Sequence, residues 1–267
     1  MSASAAKPYT SIIHAIYTTS EIPIRWKRSA ESWVNMNKDF AYCLWTFAEL
    51  EAFVADEYSW LLSTYQGYRY FIQRVDVAKY MFLYRYGGTY VDLDMVCCTP
   101  LSVIFADSPV EAGVVVRPTP WIGIATDFIA VRRPQDPFIR GVLSGLRRAA
   151  ASWWYPPLPY TSVIYRTGPR YFARRVNCHD RQDQIFIIPW SKNQDYFDRV
   201  DGASWHSWDA WIIRNVYLLR HQILRLIILL LALAAFVWLY RTRHSIANYL
   251  HKKLSYRRGT ARLSKLV

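Results

Sequence analysis

The sequence predicts an α/β domain followed by a membrane-associated helical segment, and two patterns lead to this expectation. Short apolar segments rich in β-branched and aromatic residues alternate with segments of helical periodicity, the order that builds a parallel sheet with crossover helices. Near the C-terminus, a continuous apolar run is bounded by Arg225 and Arg241. The 267 residues, 52% of them hydrophobic, are enough for one sizeable domain and an appendage. We therefore expect the α/β domain over residues 1–209 and the membrane segment over residues 210–267.

The α/β domain is expected to begin with strand, helix and strand in that order. Residues 9–17 are typical of a strand, and residues 31–46 predict a helix, a turn at 37–39 and a second strand. A helical stripe of apolar residues over 69–86 ends at Gly87. The remaining predicted elements are a short strand over 89–94, strands within 112–118, 121–131 and 184–190, and a helix over 136–154.

The apolar run Leu226–Tyr240 is predicted to be a membrane helix, either spanning the bilayer or lying partly in its interface. The run is shorter than the about 20 residues of a typical span. Apolar residues at 216–219 and 223–224 extend it upstream. A buried core helix is the alternative interpretation.

Positive charge is concentrated in this C-terminal segment. The formal charge is +13, but residues 1–209 carry 22 Lys/Arg against 20 Asp/Glu, whereas residues 210–267 carry 11 Lys/Arg and no acidic residue. Basic residues beside an apolar run favour contact with a membrane surface, so we expect no nucleic-acid binding. No N-terminal signal peptide is recognisable, which favours a cytosolic domain, yet the basic tail itself favours the cytosol. These signals conflict, and the sequence leaves the side of the membrane open.

Residues 85–94, RYGGTYVDLD, place two aspartates one residue apart at the end of a predicted strand. Residues i and i+2 of a strand face the same side, so Asp92 and Asp94 are expected to project together at the carboxyl edge of the sheet, where α/β folds bind ligands. Paired carboxylates there suit Mg²⁺ or Mn²⁺, with coordination positions left for a substrate phosphate. Solvated loop carboxylates are the alternative interpretation.

Residues 74–94, RVDVAKYMFLYRYGGTYVDLD, resemble the signature of the DXD sugar-binding glycosyltransferases (glycosyltransferase family 32). The resemblance is greatest to the eukaryotic branch that adds mannose to inositol phosphorylceramide. Segments at 12–46, 126–139, 167–172 and 202–211 are also similar to family segments, in the same order and with similar spacing. The resemblance implies a GT-A fold, a Rossmann-like nucleotide-sugar-binding architecture, and a retaining transfer from a nucleotide sugar whose diphosphate binds a divalent metal.

The resemblance also implies a donor-binding set. Asp76 matches the family aspartate that is expected to bind donor-sugar hydroxyls, and Lys79 stands where the family usually has Arg. Lysine supplies charge but not a planar, bidentate fork, so the choice of sugar can differ here. Gly87 and Gly88 would allow close approach to a ligand. His14 is a further donor-site candidate, with a structural role as the alternative.

For the metal, Asp94 is expected to be a direct ligand, and Asp92 to contact the donor or a metal-bound water. His206 matches a family histidine that could complete the metal shell, and Trp205 is expected to line the same pocket. Asp127 is the candidate catalytic carboxylate on the acceptor side. It could act as a nucleophile by double displacement, or a phosphate oxygen of the leaving group could deprotonate the acceptor instead.

The resulting hypothesis is a Mn²⁺- or Mg²⁺-dependent retaining transferase that moves mannose from GDP-mannose to inositol phosphorylceramide in a Golgi or other endomembrane. A related transferase with a UDP-sugar donor and a glycan or protein acceptor is the first alternative. A non-catalytic, membrane-tethered module that binds sugar nucleotides is the second. A regulatory subunit or a second copy of the chain is a possible partner.

Overall fold

The computed structural model describes residues 9–120, 123–152, 158–200, 202 and 208–263, with side chains described as far as Arg243. The chain divides into two compact units, Met1–Ala210 and Trp211–Val267, and the α/β class of the first is confirmed.

The strands are β1 (Ile12–Tyr17), β2 (Ala41–Thr46), β3 (Gly88–Val91), β4 (Met95–Cys97), β5 (Val114–Thr119), β6 (Gly123–Val131), β7 (Ile185–Ile187) and β8 (Phe197–Arg199). The helices are α1 (Ile24–Met36), α2 (Phe47–Glu57), α3 (Ser59–Gln66), α4 (Phe71–Tyr86), α5 (Leu101–Ala106), α6 (Pro137–Ala150), α7 (Pro159–Arg166), α8 (Pro169–Asn177), α9 (Trp190–Tyr196) and α10 (Trp208–Leu263), and Gln182–Gln184 forms a 3₁₀ turn.

The main sheet is mixed, with the strand order β2-β1-β3-β6-β5-β7, and β4 pairs with β8 separately. The expected parallel pairing is correct for β1 with β2 and β3, and for β5 with β7. It is wrong for β6, which runs antiparallel to both of its neighbours. Only a short connection separates Thr119 from Gly123, and a parallel crossover needs a dozen or more residues, so β6 has to fold back beside β5.

Helices cover both faces of this sheet because its central strands bury side chains on both sides. On β5, Val114 and Val116 join the core cluster that contains residues of α4, α6 and α8. Val115 lies in the cluster on the other face, with residues of α1 and α5. This alternation follows from the period of two along a strand, and it divides the helices into two layers.

Gly87 and Gly88 make the turn that joins α4 to β3. Their φ angles are 68° and 84°, which side chains with a Cβ rarely adopt. A Cβ on Gly88 would lie 2.5 Å from the carbonyl oxygen of Ile12 on the neighbouring strand. The glycine pair therefore allows α4 to end and β3 to start directly beside β1.

The second unit consists of the greater part of α10. The segment Trp208–Arg243 of α10 is long and apolar enough to cross a bilayer, with a mean hydropathy of 2.5 over its most apolar stretch, none of which is buried. Leu229, Leu231 and Phe236 are each about two-thirds exposed. A continuous apolar surface of this kind marks a site of membrane or protein contact. The helix thus indicates membrane association, in agreement with the sequence.

Candidate functional site

Asp92 and Asp94 lie in a turn between β3 and β4. The predicted strand over 89–94 is wrong at its end, because β3 stops at Val91 and the Met95 amide donates to the Asp92 carbonyl oxygen at 3.1 Å. Leu93 is buried in the core between the two aspartates. A turn held at its apolar centre, rather than strand alternation, therefore positions the two carboxylates.

Asp127 is brought beside this turn by the register of β3 and β6. The Asp92 amide donates to the Asp127 carbonyl oxygen at 2.9 Å, continuing the pairing of Val91 with Phe128. The Asp127 carboxylate is held by Arg117 on β5, whose Nε donates to Oδ1 and whose Nη2 donates to Oδ2, both at 2.7 Å. Both carboxylate oxygens are thus engaged in a bidentate ion pair, the strongest geometry for such a contact.

Arg199 on β8 joins Asp127 to Asp94. Its Nη2 lies 2.9 Å from Asp127 Oδ2 and 3.4 Å from Asp94 Oδ2. The Arg199 side chain is 51% exposed, whereas both carboxylate side chains are nearly buried. β8 pairs with β4 so that Arg199 lies opposite Met95, directly after the turn. A guanidinium that faces solvent therefore covers two carboxylates of the cluster.

Asp76 and Lys79 form a buried ion pair on α4, with 2.7 Å between Lys79 Nζ and Asp76 Oδ1. The Thr167 hydroxyl donates to the second oxygen of Asp76 at 2.9 Å. The Lys79 ammonium lies 5.0 Å from the centre of the Tyr90 ring, and the Tyr90 hydroxyl donates to Asp92 Oδ1 at 2.7 Å. Tyr90 thereby connects the ion pair on α4 to the turn.

The carboxylates of this cluster differ in their affinity for protons. Burial raises the pKa of Asp92 to about 6, against the opposing effect of Lys79. Burial also raises the pKa of Asp94, although Arg199 partly offsets it. For Asp127, burial is outweighed by the hydrogen bonds and charge of Arg117, which hold its pKa below the ordinary value. Asp92 and Asp94 are therefore short of compensating positive charge, and Asp127 is not.

The two aspartates of the turn fit a divalent cation. Among the described residues, no hydrogen-bond partner reaches the buried Asp94 Oδ1, which is costly unless a ligand completes it. In the part of the chain that the structure describes, no group of three or more His, Cys, Asp and Glu side chains is assembled around a metal position. Mg²⁺-type ions are commonly held by one or two carboxylates, with substrate phosphates and water completing the shell. Trp205 and His206, predicted for the same site, lie outside the described residues.

His14 lies at the other end of β3. Its Nε2 lies 3.0 Å from the Gly87 carbonyl oxygen, and the Trp45 indole N–H donates to its Nδ1 at 3.2 Å. These partners assign the neutral tautomer with the proton on Nε2. The fold brings together Asp76, Lys79, Asp92, Asp94 and Asp127, and it places His14, Gly87 and Gly88 apart from them, where β3 begins.

A pH dependence of stability is expected from His14. Burial lowers its pKa to about 4, from an ordinary 6.5. Between these values the unfolded chain binds a proton that the folded chain does not, so the free energy of unfolding should fall by about 3 kcal/mol as the pH drops through this window. Urea unfolding of the full chain in detergent tests this, with His14→Gln as the comparison. The variant should lose that part of the pH slope, and equal slopes in the two proteins would contradict the assignment.

Tyr90, Arg117 and Arg199 belong to the cluster although the sequence does not predict them as site residues. Tyr90 could have been found, because i and i+2 alternation relates it to Asp92. Arg117 also carries a signal, since a charge within the apolar strand 112–118 requires a buried partner. Arg199 carries none, because its role depends on how β8 pairs with β4.

Comparison with known proteins gives concordant matches. Residues 23–111 match the family described as "Glycosyltransferase sugar-binding region containing DXD motif". The chain is 34% identical over 214 residues to "Inositol phosphoceramide mannosyltransferase 2" of Schizosaccharomyces pombe, covering 76% of this chain and 59% of that protein. It is 29% identical to "Mannosyl phosphorylinositol ceramide synthase CSH1" of Saccharomyces cerevisiae, covering 77% of this chain and 55% of that protein.

The chain thus spans a little over half the length of these two curated relatives. Among solved structures, "PaToxG Glycosyltransferase" is 17% identical, covers 64% of this chain and 68% of that chain, and superposes with a TM-score of 0.46.

Proposed function

Since residues 23–111 match the glycosyltransferase sugar-binding region that contains a DXD motif, we propose that the chain belongs to this family and transfers a hexose from a nucleotide sugar to a membrane lipid with the help of a divalent cation. The donor we favour is GDP-mannose and the acceptor inositol phosphorylceramide. The names of the relatives support this acceptor class, because they are an inositol phosphoceramide mannosyltransferase and a mannosyl phosphorylinositol ceramide synthase. The GT-A fold and the retention of configuration that the resemblance implies are part of the same proposal.

One observation carries the metal dependence. Asp94 Oδ1 is buried beside Asp92 with no partner in the part of the chain that the structure describes, and both carboxylates have a raised pKa. A buried carboxylate pair that is short of compensating positive charge is the arrangement expected of a site completed by a metal and a substrate. A bound Mn²⁺ or Mg²⁺ would stabilise the negative charge that develops on the departing nucleoside diphosphate.

The protein residues around this pair have separate roles in the proposal. Asp94 and Asp92 hold the cation, and the Tyr90 hydroxyl fixes the orientation of Asp92 through its hydrogen bond to Oδ1. Arg199 is the most exposed cation of the cluster, so it can turn from Asp94 toward a donor phosphate. Lys79 and Asp76 are buried together on α4, and they determine the shape and charge of that side of the cluster.

Asp127 has a positioning role in this proposal. Its oxygens are both engaged by Arg117, and Oδ2 also accepts from Arg199. A carboxylate held in this way is a weak nucleophile and a weak base, because its pKa is lowered. The geometry therefore favours deprotonation of the acceptor by the leaving-group phosphate over double displacement through Asp127.

Membrane attachment through α10 fits a lipid acceptor. A helix that holds the α/β domain at a bilayer raises the local concentration of a lipid substrate, since binding becomes effectively intramolecular. We also propose that the enzyme resides in a Golgi or other endomembrane, in the same bilayer as its acceptor.

Donor profiling of the full chain in detergent tests the proposal. Release of nucleoside diphosphate from GDP-mannose, UDP-glucose and UDP-galactose is measured with Mn²⁺ and with a chelator, and then with inositol phosphorylceramide or an oligosaccharide added. We expect Mn²⁺-dependent release from GDP-mannose that the ceramide lipid stimulates. Release from a UDP-sugar with stimulation by the oligosaccharide would replace this donor and acceptor. Absence of turnover with every donor, together with no Mn²⁺ binding, would remove the enzymatic assignment.

A further inference from the structure

Residues 1–209 are nearly neutral overall, but their basic and acidic residues are concentrated in different parts of the sequence. Between Arg132 and His179 the chain carries nine Arg, no Lys and a single acidic residue, Asp136. The rest of 1–209 carries 13 Lys/Arg against 19 Asp/Glu. Asp136 is buried, and its carboxylate accepts hydrogen bonds from the amides of Phe138 and Ile139 at the start of α6. With only this one acidic residue among nine arginines, one basic segment lies on an otherwise acidic domain.

α6 separates an apolar face from a basic one. Its buried residues are Phe138, Ile139, Val142, Leu143 and Leu146, which pack into the core. After the exposed first residue, Pro137, the exposed positions follow the spacing i, i+4, i+7 and i+8, which places them on the opposite side of the helix. They are Arg140, Ser144, Arg147 and Arg148. None of these three arginines forms a salt bridge with a residue that the structure describes.

α8 contributes to the same surface. The stem of Arg175 lies along α6, because its Cδ is 3.7 Å from where a Cβ on Gly145 would stand and its Nη2 is 3.3 Å from the equivalent point at Gly141. We call the surface formed by Arg140, Arg147, Arg148 and Arg175 the arginine face.

We propose that the arginine face docks the α/β domain on the surface of an anionic bilayer. A guanidinium binds a phosphate through two parallel hydrogen bonds, so a surface that carries only arginine suits phospholipid headgroups. Each basic residue close to an anionic membrane strengthens the association by about fivefold. This attachment is additional to the membrane helix α10, and it acts on the orientation of the domain rather than on whether the chain is held at the membrane.

A bilayer fits this face better than an acidic protein does. Stable protein interfaces have an apolar centre with anchoring side chains surrounded by a polar rim. Among the described residues of 133–180, no large hydrophobic side chain is exposed. A purely electrostatic contact is weak in free solution. A tether to the same membrane strengthens it by raising the effective concentration of the domain at the bilayer. In this chain α10 contains the candidate membrane span that would act as the tether.

A depth measurement on the full chain in vesicles tests the proposal. A bimane fluorophore is attached at Ser144→Cys, at the centre of the basic side of α6, after the exposed Cys98 and Cys178 are changed to serine. Quenching by nitroxide-labelled lipid is measured in phosphatidylcholine vesicles with and without phosphatidylinositol. We expect strong quenching only with phosphatidylinositol, and its loss at high salt because surface charges are then screened. The same label at Ser102→Cys on α5, in the layer across the sheet, should stay unquenched in both vesicles.

A matched pair of charge variants distinguishes the effect of the arginine face on docking from the effect of net charge. Replacing Arg140, Arg147 and Arg148 with glutamine should lower the ratio of docked to undocked domain on the order of a hundredfold. Replacing the exposed Arg25, Lys27 and Arg28 of α1 with glutamine removes the same charge from the other layer, and it should leave the quenching unchanged. Quenching that is independent of phosphatidylinositol, or equally reduced by both triple variants, would overturn the proposal. A normal far-ultraviolet circular dichroism spectrum verifies that each variant is folded.

Discussion

Replacing Asp94 with asparagine is expected to lower sugar transfer by at least about a hundredfold, the usual cost of removing one group that stabilises transition-state charge. The variant should also bind Mn²⁺ far more weakly, because one of two proposed carboxylate ligands is lost. The metal-free variant should be as stable as the parent chain or more stable, since burial raises the pKa of Asp94 and no described residue pairs with its Oδ1. Turnover, Mn²⁺ titration and thermal unfolding of the full chain measure the three effects.

The combination of these effects distinguishes a functional carboxylate from a structural one. A structural carboxylate would lose stability together with activity, whereas a site that is strained for function gains stability when the function is removed. Asp180→Asn serves as the control, because this exposed carboxylate lies outside the cluster and should change none of the three. Near-normal transfer by Asp94→Asn would exclude the proposed metal site at this turn.

The substitution Arg117→Leu is expected to destabilise the fold by about 3–5 kcal/mol, because it leaves Asp127 buried without its bidentate partner. Arg199 still pairs with Asp127 Oδ2, so the loss should fall toward the lower end of this range. Urea unfolding of the full chain gives the change in free energy, and the activity should fall with it because Asp127 adjoins Asp92.

The double variant Arg117→Leu, Asp127→Leu completes the test. Removing both charges eliminates the unpaired buried carboxylate, so most of the lost stability should return. The exposed pair Arg181–Asp183 offers a matched control, since its side chains are 63% and 55% exposed and Arg181→Leu should leave the stability nearly unchanged. A double variant no more stable than Arg117→Leu would show that packing, not charge, accounts for the loss.

Much of the fold was accessible from local sequence patterns. The helix over 69–86 and the strand within 121–131 agree closely with α4 and β6, because each has a clear apolar period and a terminating signal. Helices α2 and α3 were missed, since aromatic and aliphatic residues over 47–66 follow no single period. A signal was nevertheless present: Thr46 and Glu49 form a capping box at the start of α2.

In the candidate site, the residues could be predicted from the sequence more readily than the contacts between them. Asp92 and Asp94 were accessible from their spacing, although the reason given for their shared direction was wrong, because a turn around buried Leu93 replaces the expected strand. Asp76, Lys79 and Asp127 were accessible from the family resemblance, but their contacts were not. That Lys79 is buried against Asp76, and that Arg117 engages both oxygens of Asp127, follows from packing between separate elements.

The sequence by itself determined the family resemblance, the α/β class, the position of the carboxylate pair and the apolar helix, because motif spacing and hydrophobic periodicity are local properties of the chain. The tertiary structure alone decided that β6 runs antiparallel, that Arg199 bridges Asp94 and Asp127, and that the arginines of α6 and α8 share one face. These depend on the pairing of strands and the packing of helices that are distant in sequence, and no local pattern specifies that pairing. Electrostatic energies follow distance in space, so the charge partners of the cluster became visible only in the folded chain.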